Sequence, residues 1–194
     1  MSQLFETAPS FSERDAQRLV AKYYGLKGNA SALPSERDQN FKITRGDGRV
    51  CVLKIANAAE QLAVLEMQQA ALAHINIRHE AHQAGAALCP RVLESVNHRT
   101  IETISGPDDT PHMMWLISHL AGKPLALAKP HTRELLSDLG RVMATLDRYL
   151  ADFSHPAALR VLHWDLKCVE DVVGRAEDKD GRSRADRALS RGAG

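Results

Sequence analysis

The chain has 194 residues, of which 44% are hydrophobic and 25% charged, with a formal net charge of +1; this is the composition of a globular protein of about one domain. A balance so near neutral removes the electrostatic case for nucleic acid or an anionic membrane as the main partner. The three cysteines, Cys51, Cys89 and Cys168, are widely spaced, so they offer neither a disulfide framework nor a zinc set and suit a reducing, cytoplasmic setting.

The first dozen residues hold Glu6, no lysine or arginine and no apolar core, unlike a signal or transit peptide, and no apolar stretch is long enough to span a membrane. Ser12-Glu13-Arg14-Asp15 opens a predicted helix with a capping-box pattern, and Gly25 closes it after Tyr24. Residues 29–33 and 39–45 are predicted strands, joined by the polar loop Pro34-Ser35-Glu36-Arg37-Asp38. Gly46-Asp47-Gly48 is a hairpin turn into a third strand, Val50-Cys51-Val52-Leu53-Lys54-Ile55.

Lys54 is the odd residue of that strand. A charge in a buried strand costs several kcal/mol unless an anion meets it, so a carboxylate or a ligand phosphate is expected opposite. The alternative is an edge strand whose lysine reaches out to water.

Residues 58–75 are rich in Ala, Leu, Glu and Gln and read as a helix. Leu62, Leu65, Gln69, Leu72 and Ile75 would form its inward stripe, with Glu66 on the same face and Glu60 turned away. Residues 92–96 and 100–104 read as a β-hairpin, and residues 112–117, with Met113, Met114 and Trp115, as a core strand. The expected fold is α+β: a five-stranded antiparallel lobe with one main helix, followed by helices. Beyond Ala121-Gly122-Lys123-Pro124, Thr132 caps a helix carrying Leu135, Leu136, Leu139, Val142, Met143, Leu146 and Leu150 at helical spacing. A weaker helical stretch covers residues 157–173. From Gly174 on, Leu189 is the one large aliphatic side chain apart from the charges, and this composition predicts disorder.

A strand lysine followed by an inward helix glutamate is the ion pair with which kinase-type phosphotransferases hold nucleotide phosphates; Lys54 and Glu66 have that order. Around them, LPSERDQNF, VLKIAN, MMWLISHLAGKPL and LGRVMATLDRYLADFSHP resemble the hydroxylysine-kinase-like branch of the aminoglycoside phosphotransferase and choline kinase superfamily. The SERDQNF form is most similar to kinase domains that bacteria fuse to class III aminotransferases. The resemblance covers residues 12–173. It implies a protein-kinase-like fold, with an N-lobe and hinge over residues 1–120, a partial helical C-lobe over 121–173 and a tail over 174–194. It further implies that ATP or GTP, with Mg2+, donates its γ-phosphate to a small-molecule hydroxyl acceptor, an amino-alcohol or hydroxy-amino acid. Ser35, Asp38 and Asn40 would then belong to the loop over the phosphates, although that loop has no glycine-rich fingerprint. Lys54 would be the phosphate lysine with Glu66 as its partner, and Ser118, His119 and Leu120 would form the hinge beside the purine.

HWDLKCVE, residues 163–170, mimics a kinase catalytic loop with Asp165 as base. Glu170 stands where a metal-binding asparagine is needed, and the only later aspartate pair, Asp178 and Asp180, lies in the charged tail. In the resembling family a W-[DN]-L-K segment precedes the true catalytic loop, so Asp165 reads as a decoy that caps a helix. The family's H-G-D-x-x-x-x-N loop and metal-binding aspartate do not occur in this sequence. No catalytic or metal residue is therefore assigned, and the expectation is an inactive N-terminal portion, with a frameshift near residues 168–176 as one origin. A non-catalytic, pseudokinase-like binding module is the alternative. His74, His79, His82 and Glu80 could supply metal ligands, but a solvated helix end is the favoured reading.

Overall fold

The computed structural model describes residues 7–82 and 85–159. Helix α1, Glu13–Tyr24, carries the predicted capping box: Ser12 Oγ accepts from Asp15 N while the Asp15 carboxylate accepts from Ser12 N. Gly25 ends the helix at φ 62°, the left-handed turn that glycine takes without strain. Strands β1 (Gly28–Leu33), β2 (Gln39–Arg45) and β3 (Val50–Ile55) follow as an antiparallel meander. Gly48, at φ 78°, makes the second turn.

Helix α2 spans Leu62–Ala81, starting one turn later than predicted. Asn57 is the cause: its Oδ1 accepts from Ala59 N at 2.9 Å and its carbonyl accepts from Glu60 N at 2.9 Å. This Asx turn competes with helix geometry over residues 57–60. The buried face accordingly comprises Val64, Leu65, Ile75 and Asn76, and Leu62 is 49% exposed. Glu66, expected on the inward face, is exposed instead, whereas Glu60 is half-buried.

Strands β4 (Val92–Leu93), β5 (Glu102–Ser105) and β6 (Pro111–Ser118) complete one sheet, in the order β1-β2-β3-β6-β4 with β5 also on β6. The predicted hairpin of residues 92–96 with 100–104 does not form. β4 pairs with Ile117 and Leu116, and β5 with residues 111–114, so the two lie end to end along one edge of β6. Six strands thus fill five positions across the sheet. The segment between them turns back on itself, closed by Ser95 N donating to Arg99 O, with Ser95 Oγ and Asn97 Nδ2 both donating to the buried Glu102 carboxylate.

Period-two alternation divides the sheet into two faces. One is the core, where Phe41, Ile43, Cys51, Leu53, Ile55, Met114 and Leu116 meet Ala16, Val20 and Tyr24 of α1. The other carries Asn40, Lys42, Val52, Lys54, Trp115 and Ile117.

Helix α3, Arg133–Leu150, has the predicted Thr132 cap, with Leu135 N donating to Thr132 Oγ1. It packs on α2 through a second apolar cluster of Ile75, Cys89 and Tyr149, so contacts run across residue 120. The chain divides after His155 into two compact units, of which the second is described at Pro156–Leu159, a 3-10 turn. No described helix is long and apolar enough to cross a membrane.

Candidate functional site

β3 lies between β2 and β6, so Lys54 is on an interior strand and the edge-strand reading fails. The register places Lys54 directly between Asn40 of β2 and Trp115 of β6. Lys54 Nζ donates to Asn40 Oδ1 at 3.1 Å and lies 5.7 Å from the Trp115 ring centroid. A neutral amide and an aromatic face stabilise the ammonium but do not neutralise it. Asn40 in turn donates through Nδ2 to Ser35 Oγ at 3.0 Å. Ser35, Asn40 and Lys54 thus form a hydrogen-bonded row that joins the 34–38 loop to this face of the sheet and ends against the buried Trp115.

The loop itself is fixed from below. Asp38 Oδ1 accepts from Asn57 N at 3.1 Å, Asn57 Nδ2 donates to Arg37 O at 3.4 Å, and Arg37 is ion-paired with Glu60 at 3.7 Å. Asn57 is fully buried and also accepts from Thr7 Oγ1 at 2.7 Å. Gln39 pairs with the Phe11 backbone in both directions, accepting at 2.8 Å and donating at 2.7 Å. Each residue of the SERDQN run therefore has work on the protein side except the exposed Glu36. Asp38, expected to face a ligand, spends one carboxylate oxygen on the β3–α2 connection and so acts as a loop anchor.

Lys54 and Glu66 are not within ion-pair distance. Among the described residues Glu66 has no salt-bridge partner, and the acid that reaches the loop is Glu60. At the other end of the face, Ser118 N donates to Arg91 O at 2.8 Å and Ser118 Oγ accepts from Arg91 N at 2.9 Å. Ser118 is therefore tied to the sheet, while His119 and Leu120 leave it exposed.

The three histidines are engaged within the fold. His74 Nε2 contacts Tyr149 O at 2.8 Å and Asp152 at 3.2 Å, His79 Nε2 contacts Ala86 O, and His82 Nδ1 contacts Arg78 O. The rings of His79 and His82 also pack on Tyr149. Among the described residues no group of three or more His, Cys, Asp or Glu could hold a metal ion. Asp165 and the 160–194 segment lie outside the described residues.

Sequence reasoning missed Asn57 and Gln39, and took Trp115 as core alone. A usable signal existed: counting outward from the Gly46–Gly48 turn sets Thr44 against Val50 and Asn40 against Lys54.

An antiparallel sheet with a half-buried lysine on an interior strand, a polar loop before that strand and a helix after it is a fold found in small-molecule kinases. The same fold occurs in an amicoumacin kinase solved with AMP-PNP and Ca2+, at TM-score 0.59 and 13% identity over 79% of this chain and 45% of that one. It occurs also in a microcompartment-associated aminopropanol kinase, at TM-score 0.59 and 18% identity over 81% of this chain and 46% of that one. The phosphotransferase enzyme family (APH) matches residues 29–191, and the chain belongs to that family. Hydroxylysine kinase from Bos taurus is 34% identical over 84% of this chain and 46% of its own length. The Mus musculus hydroxylysine kinase is 30% identical over 93% of this chain and 51% of its own length. The chain thus spans about half the length of the curated relatives it matches.

Proposed function

We propose that this chain is the nucleotide-holding part of a small-molecule phosphotransferase of hydroxylysine kinase type. In that reading ATP or GTP, with Mg2+ in the whole enzyme, gives its γ-phosphate to the hydroxyl of an amino-alcohol or hydroxy-amino acid. Residues 1–120 act as the N-lobe with its hinge and residues 121–173 begin the C-lobe. The observation that carries the proposal is Lys54: a half-buried ammonium on an interior strand, supported by Asn40 and Trp115, with no carboxylate among the described residues to neutralise it. A triphosphate supplies the missing charge.

Ser35 and Asn40 line the phosphate end, Asp38 holds the loop that covers it, and Ser118 and Leu120 bound the base end. Glu66 serves as the partner that Lys54 gains with nucleotide bound. The unpaired thiols of Cys51 and Cys89, both buried, accord with a cytoplasmic setting.

A second reading is a non-catalytic nucleotide- or protein-binding module. The kinase reading and the nucleotide-binding form of the module both require nucleotide binding, whereas a purely protein-binding module does not. Thermal unfolding with and without ATP and GTP tests the common claim. The parent chain should be stabilised by nucleotide in a concentration-dependent way, and Lys54→Met should lose that stabilisation while remaining folded. An equal shift in both proteins would remove Lys54 from the site.

A further inference from the structure

Helix α3 has two apolar sides. Leu146, Tyr149 and Leu150 pack into the cluster shared with α2, whereas Leu136 and Met143 are 51% and 53% exposed. Those two belong to a row of exposed residues, Arg133, Leu136, Gly140, Met143 and Asp147, whose spacing of three and four places them on one side of the helix. Three members of the row have no use within the chain. Gly140 costs the helix stability relative to alanine, yet a methyl group on its Cα would meet no atom within 4 Å, so its own fold does not need the space. Arg133 opens the helix and Asp147 stands in its last turn, each at the end where the helix dipole disfavours its charge. Among the described residues neither has an ion-pair partner, whereas the neighbouring Arg141 and Asp138 pair within the helix.

Reversed, the row is its own complement. About a two-fold axis at Gly140, an antiparallel second copy sets Gly140 against its counterpart, Leu136 against the partner's Met143 and Arg133 against the partner's Asp147. Each charge then also lies beside the partner helix end of opposite sign. Self-complementarity of this kind is what an isologous contact between identical chains requires. We propose that this face is a homodimer interface, in which two copies of α3 cross at Gly140 and the absent side chains there let the axes approach. Leu136–Met143 contacts lie on both sides of the crossing, and an Arg133–Asp147 ion pair closes each end of a seam about 21 Å long.

The test is sedimentation velocity of the full chain from about 1 to 100 μM, over which dimer should accumulate with concentration. Gly140→Glu sets two carboxylates face to face at the crossing and should abolish the dimer with helical circular dichroism unchanged. Arg133→Asp and Asp147→Arg each suit the dipole of their own helix, so both variants should stay folded, and each sets like charges across the seam at two symmetric places. Each should weaken dimerisation at least tenfold, and the double variant should restore it to within about threefold of the parent. Should the Gly140 variant fail to fold, the charge reversals decide alone. A parent that stays monomeric throughout the range overturns the proposal and leaves the face to a different occupant. So does a dimer that survives Gly140→Glu, or a double reversal that dimerises no more tightly than either single one.

Discussion

Asn57→Ala probes whether the phosphate loop is held by the buried amide beneath it. The substitution removes an acceptor that takes Thr7 Oγ1 at 2.7 Å and Ala59 N at 2.9 Å, and a donor that reaches Arg37 O at 3.4 Å. The two short bonds are worth about 1 kcal/mol each, and the long one adds little. Vacating the volume of a fully buried amide brings the expected loss to about 2–3 kcal/mol. For a chain of this size that lowers the melting temperature by roughly 5–10 °C. The backbone bond from Asn57 N to Asp38 survives, so the protein should stay folded while the 34–38 loop loosens. Urea unfolding followed by circular dichroism gives the stability change, and nucleotide titration of the same variant should show weaker binding. A loss below about 0.5 kcal/mol, the range of an ordinary surface substitution, would refute the idea that Asn57 anchors the loop.

Glu60 and Glu66 should separate. Glu60→Gln weakens the Arg37 pair under the loop and should lower stability by up to about 1 kcal/mol, whereas Glu66→Gln should leave the melting temperature without nucleotide unchanged and weaken nucleotide binding; a Glu66 effect on stability alone would remove it as the partner of Lys54. Burial opposes ionisation of Glu102, but hydrogen bonds from Ser95 and Asn97, with Arg99 nearby, outweigh it and hold the carboxyl below its ordinary value. Its stabilising contribution is therefore present above the ordinary glutamate range and lost as pH falls through the lowered folded value. Glu102→Gln should flatten the acid limb of the stability–pH curve, and an unchanged acid limb would show that the turn over residues 94–99 does not depend on the carboxylate.

How far the molecule could be read in advance depended on the range of the interactions. The capping box at Ser12, the glycine stop at Gly25 and the Thr132 cap are local, involve residues within a few positions of each other, and stood where the sequence predicted them. Lys54 was conspicuous because charge and pattern conflict within one strand. Its protein partner was not, since Asn40 becomes its neighbour through strand register rather than through any motif. The predicted hairpin failed because β4 and β5 each satisfy β6 rather than each other, a choice made by tertiary pairing. Of the predicted stripe Leu65, Leu72 and Ile75 do pack inward, but Val64 and Leu65 are the buried pair of the first turns, so Glu66, one position on, falls outside the buried face.

The central claim is that nucleotide binds on the Asn40–Lys54–Trp115 face of the sheet. Hydrogen–deuterium exchange of the full chain with and without saturating nucleotide tests it most directly, because the readout is positional. Added protection is expected in residues 34–42, 50–57 and 115–120, and its loss in Lys54→Met. Protection confined to other segments, such as the Gly25–Lys27 and Arg45–Asp47 surface at the Gly28–Arg45 end of the β1–β2 pair, or none at all, would contradict it.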